Sequence, residues 1–133
     1  MTSKVLFSIV VPLPYWESRG KKQIISLNNT SKWARYGATK IKNQYKDLLG
    51  EFYLPEPPAK PYESLDIAYE ILRHNKRRAD SMNFVAYSDK WLLDKLTSMG
   101  WLTDDDNCYH HVKPAIYTEG LIETQLRVTV SEV

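Results

Sequence analysis

Apolar and polar positions along the chain fall into segments, each with its own period. Residues 4–11 are rich in β-branched side chains and read as a strand, ended by Pro12-Leu13-Pro14. Residues 17–29 are polar and basic, with Gln23-Ile24-Ile25-Ser26-Leu27 able to pair locally. Thr30 is placed to cap a helix over residues 31–49, where Trp33, Ala34, Ala38, Ile41, Tyr45, Leu48 and Leu49 keep helical spacing and Gly50 reads as the stop. Residues 51–62 hold Pro55, Pro57, Pro58 and Pro61 and read as an extended connector. In residues 63–74, Leu65, Ile67, Tyr69 and Ile71 share one side, as in a half-buried strand.

The stretch that organises the rest is residues 77–106. It opens on Arg77-Arg78-Ala79-Asp80, runs through a helical pattern and closes on Asp104-Asp105-Asp106. From Ser81 to Met99, Val85, Leu92, Leu96 and Met99 fall within about 60° of one another at 100° per residue. Asn83, Tyr87, Lys90 and Asp94 gather opposite as a polar stripe. Ser81 suits the N-cap and Gly100 the C-terminal stop. Residues 109–118 and 121–133 read as a terminal hairpin joined around Glu119-Gly120. The expected order is β-α-β-α-β-β: an α+β fold with two main helices on a small mixed β-sheet.

At 133 residues the chain is long enough for one domain, residues 1–133, with its own core. Cys108 is the only cysteine, which excludes an internal disulfide and fits a reducing compartment. The longest apolar run, residues 5–13, is broken by Ser8 and Pro12 and is too short to span a bilayer. A core strand fits it better than a signal peptide, because no small-x-small cleavage site follows.

Net charge is only +2, but its distribution is uneven. Residues 18–46 contain eight basic residues and no acid, among them Lys32 and Arg35. A second cluster is Arg73, Lys76, Arg77 and Arg78, with His74 among them. A basic half beside an acidic pocket suits a polyanion held against a metal. Carboxylates at Asp80 and Asp104 to Asp106 are hard oxygen ligands of the kind Mg²⁺ takes, and Lys90 is suited to phosphate charge. The acid triplet equally fits a solvated turn. Tyr15 and Trp16 are candidates for stacking on unpaired bases. Cys108, His110 and His111 match no common zinc spacing, and a strand would turn His111 away from the other two. No phosphate-loop, nucleophile-elbow or C-x-x-C motif occurs.

These residues resemble the RusA family of Holliday junction resolvases, found in bacteriophages and prophages. Val11-Pro12-Leu13-Pro14 is similar to the family's opening strand and proline turn. Ser26-Leu27-Asn28 followed by Lys32-Trp33 resembles a family segment that often has a histidine before the tryptophan. Arg77-Arg78-Ala79-Asp80-Ser81-Met82-Asn83 resembles the basic run into its D-x-D-N, and Asp94-x-Leu96 with Gly100-Trp101-Leu102-Thr103-Asp104-Asp105 resembles its ending. The resemblance implies a Mg²⁺-dependent endodeoxyribonuclease, with Mn²⁺ as a substitute, that resolves branched DNA by paired nicks. It implies a homodimer in the cytoplasm of a phage-infected or lysogenic bacterium, with no membrane partner. By that resemblance Asp80, Lys90 and Asp105 are catalytic, and Asp80, Asp104 and Asp105 hold the metal. Lys90 matches the family lysine if the helix is about one turn longer. Lys32, Arg35, Arg73, Lys76, Arg77 and Arg78 are the expected DNA contacts. Met82 replaces the family's second acid. Either Asn83, Asp104 or Asp106 completes the site, or the chain is a weakened DNA-binding or regulatory relative.

Overall fold

Alternation in the last apolar segment sets the architecture. Leu126, Val128 and Val130 are buried on one face of strand β7 (Gln125–Glu132), which lies antiparallel between β1 (Val5–Pro12) and β4 (Leu65–Arg73). Phe7, Ile9 and Val11 of β1 stand opposite those three residues, and Leu65, Ile67, Tyr69 and Ile71 of β4 continue the same apolar face. Two short strands, β5 (Tyr109–Val112) and β6 (Ile116–Tyr117), each pair in parallel with β4. The result is a mixed five-stranded sheet. A separate hairpin, β2 (Tyr15–Ser18) with β3 (Lys21–Ile24), stands off it. This computed structural model describes residues 4–76, 81–104 and 108–133, and of Ser18, Tyr36, Ser81 and Met82 only the backbone.

The helices are short α1 (Thr30–Trp33), α2 (Ala38–Phe52) and α3 (Ser81–Met99). Val85, Leu92 and Leu96 of α3 are buried in the core with the inner sheet residues, as their spacing predicts. The opposite stripe does not simply face water. Tyr87 meets the Trp33 ring edge-on at 4.9 Å, and its hydroxyl lies 2.8 Å from Thr30 Oγ1. Asp94 pairs with Lys42 at 3.3 Å. Trp91 completes an aromatic cluster with Trp33, Tyr45 and Tyr87, so the buried arc of α3 is wider than the apolar spacing indicated.

Four further expectations are corrected. The terminal hairpin does not form: β5 and β6 join β4, and β7 inserts between β4 and β1. Alternation reveals which face is buried, not which strand lies alongside. The first helix is not continuous over residues 31–49, because Gly37 takes a left-handed φ of 90° between a 3₁₀ turn (Ala34–Tyr36) and α2. Gly50 does not stop α2, which continues through it to Phe52. Thr30 is no cap. Its hydroxyl donates back to Leu27 O, while Asn29 Oδ1 accepts from Ser26 N at the turn. Among the described residues no helix is long and apolar enough to cross a membrane.

Candidate nucleic-acid interface

The hairpin turn at Arg19-Gly20 begins the site. Both residues have positive φ, 51° and 74°, the geometry of a two-residue hairpin whose twist matches its strands. A non-glycine residue in this region carries a cost of about 1–2 kcal/mol. The turn sets Arg19 and Lys21 beside the helical segment that carries Lys32 and Arg35. Together with Trp16, Gln23 and Asn29 they line one groove of about 540 Å³, and among the described residues no acid lines it. Asn29 is fixed there by donating from Nδ2 to Ile24 O at 2.9 Å. Two of the expected DNA contacts, Lys32 and Arg35, are therefore brought together. Gln23, Asn29 and the turn residues join them only through the hairpin's fold.

A second cavity, about 510 Å³, lies next to the groove and shares Gln23 with it. Leu13, Ile24 and Phe84 form its apolar side, and Lys22, Arg73, His74, Asn75, Glu123 and Thr124 its polar side. Lys22 Nζ sits 2.9 Å from Glu123 Oε2 and 4.1 Å from the centroid of the Tyr15 ring. It thereby ties the hairpin to the segment before β7. Asn75 Nδ2 lies 3.3 Å from His74 Nε2, which makes Nε2 the acceptor, so Nδ1 donates to Thr124 Oγ1 at 2.7 Å. Arg73 belongs to this cavity, while Lys76 lies over the Tyr117 ring, 5.5 Å from its centroid. Arg77, Arg78, Asp80, Asp105 and Asp106 lie outside the described residues.

Trp16, expected to be free to stack on bases, is 8% exposed and packs in the core. Tyr15 is half-buried, with Lys22 Nζ over its ring. Both aromatics lie on β2, which turns Trp16 inward.

Lys90 is exposed midway along α3, and Asp104 is exposed beyond its C-terminal end. The chain leaves α3 through Trp101 N, which donates to Leu96 O, and Thr103 N, which donates to Tyr62 O. Ser81 and Asp104 thus stand at opposite ends of a 19-residue helix, about 28 Å long. Among the described residues no group of three His, Cys, Asp or Glu could hold a metal ion.

A polar pair that the sequence did not reveal lies at the middle of α3. Asp89 Oδ1 accepts from the Tyr69 hydroxyl and from His110 Nδ1, the latter at 2.8 Å. Burial first, and the Asp89 charge second, push the Tyr69 hydroxyl well above the ordinary tyrosine value of 10.0. His111 turns to the other face of the sheet, where Nε2 lies 2.7 Å from Asp66 Oδ1. The two histidines therefore diverge, as strand alternation predicts.

No protein-family model matches the chain, and a search of curated proteins finds no significant match.

Proposed function

We propose that this chain binds branched DNA and cleaves it as a RusA-like, magnesium-dependent endonuclease. The groove at the hairpin carries the binding half of that reading. Arg19, Lys21, Lys32 and Arg35 line it with no acid among the described residues there, and the ligand class favoured by such a field is a polyanion. The cleavage half rests on the resemblance, with Asp80, Lys90 and Asp105 as the catalytic residues. Of the proposed metal ligands, Asp104 is among the described residues, exposed beyond the C-terminal end of α3. Magnesium, when bound, would activate water and neutralise charge on the phosphate. The chain's own contribution is to hold the strand through the groove and to offer Lys90 to a phosphate oxygen. Paired nicks across a junction need two sites, hence a homodimer, and the setting is the cytoplasm of a phage-infected or lysogenic bacterium.

A second reading is DNA binding without cleavage. Met82 at the position of a family acid favours it, as does the separation of the two ends of α3. A synthetic four-way junction incubated with Mg²⁺ and with EDTA decides between the two. Nicking that needs metal, and is abolished by Asp105→Asn without loss of binding, is the expected result. A mobility shift with no nicking selects the second reading, and neither cleavage nor a shift removes both.

A further inference from the structure

We propose that the cavity between Leu13, Ile24 and Phe84 holds one unstacked nucleotide of the DNA that runs along the basic groove. The inference rests on the DNA-binding reading and adds to it a subsite for a single base. Its volume, about 510 Å³, falls within the range of small-ligand pockets, roughly 300–1,000 Å³. Its composition divides as a nucleotide divides. Leu13, Ile24 and the ring of Phe84 present apolar surface suited to the faces of a base. Gln23, Asn75 and Thr124 bring amide and hydroxyl groups suited to a base edge, and Arg73 brings a cation suited to a phosphate.

Two observations tie this cavity to the groove. Gln23 lines both, so a strand lying along Arg19, Lys21, Lys32 and Arg35 reaches the cavity at Gln23, with no acid among the described residues that line the groove. Glu123, the one acid among the described residues that line the cavity, is already paired with Lys22 at 2.9 Å, so its charge is compensated. The rim is also built rather than loose. His74 is held between Asn75 and Thr124, and the Lys22–Glu123 bridge fixes the hairpin against the segment before β7. A fully paired duplex keeps its bases stacked and cannot fill the cavity. An unpaired base at a branch point or in a single strand can.

The test uses the full chain and DNA carrying 2-aminopurine, either at an unpaired position beside a branch or inside a duplex of the same sequence. Binding is read by anisotropy and base unstacking by 2-aminopurine emission. The expected result is an emission change of twofold or more on binding at the unpaired position only. Phe84→Ala should abolish this change and weaken binding to the branched DNA by about fivefold or more, the scale of one lost base–aromatic stack. Because Phe84 also packs against the core, Gln23→Ala, at an exposed strand position, serves as the second variant and should reduce the emission change with an unaltered melting temperature. Lys32→Ala should weaken binding and keep the emission change in the bound complex. Tight binding with no emission change at any position, or an equal change in wild type, Phe84→Ala and Gln23→Ala, overturns the nucleotide cavity and leaves the groove standing. Absence of binding to every DNA tested overturns the DNA-binding reading, and the cavity assignment with it.

Discussion

In the proposed DNA-binding reading, Arg19 serves binding against the interest of the fold. Its positive φ belongs to glycine or asparagine, yet the position carries a guanidinium at the mouth of the groove. Arg19→Asn should therefore raise stability by about 0.5–1 kcal/mol, because asparagine tolerates the left-handed region better. The same change should weaken DNA binding. Chemical denaturation and anisotropy on one preparation measure the two effects, and a variant that is both less stable and equally tight in binding would contradict this account. At this scale the sequence was informative about charge and uninformative about direction. Lys32 and Arg35 were legible from an acid-free basic run. Gln23 and Asn29 were not, because their role depends on a turn whose Arg-Gly pair is not a preferred hairpin signal. Trp16 was misplaced for a related reason: two residues of strand are enough to turn an aromatic inward, and no periodicity can be read from so short a segment. The two contacts of Asp89, with Tyr69 and with His110, were equally hidden, since the three residues come from three elements.

Helix α2 illustrates the same point for elements. Gly50 lies inside it, beside the aliphatic end of Lys95 from α3, and a Cβ at that position would overlap Lys95 Cε. The obstacle is the far end of a flexible side chain, which can swing aside at little cost. Glycine within a helix is less favourable than alanine by roughly 0.5–1 kcal/mol. Gly50→Ala is thus expected to stabilise the protein by about that amount in urea denaturation. A loss of stability would mean that α2 and α3 approach too closely for Lys95 to move. The apolar periods of β1, β4 and α3 were legible, with β1 and β4 placed within two residues of their ends and α3 at its actual bounds. The breaks were not, because a glycine can mark a stop, a kink or a close approach. Gly37 proved to be the break and Gly50 the close approach. The partners of β5 and β6 were illegible for another reason: short strands with exposed residues carry no pattern that selects an edge.

For the whole molecule, four basic groups, Arg19, Lys21, Lys32 and Arg35, line one groove, and in the proposed DNA-binding reading this makes binding sensitive to ionic strength. Replacing Arg19, Lys21, Lys32 and Arg35 by alanine should flatten the log–log dependence of DNA affinity on salt by roughly 3 to 4, if each contacts one phosphate. An unchanged slope, measured by anisotropy between low and moderate salt, would move the interface elsewhere. The mixed α+β class was legible from the apolar periods, but the order of strands in the sheet was not. That order has a consequence for the making of the protein. The central strand β7 follows both of its neighbours, β1 and β4, which come well before it in the chain. At a ribosomal rate of about 5–20 residues per second, several seconds or more separate the end of β4 from the end of β7. Through that interval both neighbours have an edge with no strand to fill it, and the apolar face of the sheet cannot close. The strand-exposed nascent chain is thus a natural client for a chaperone, and premature termination before β7 would leave two sticky edges rather than a smaller folded domain.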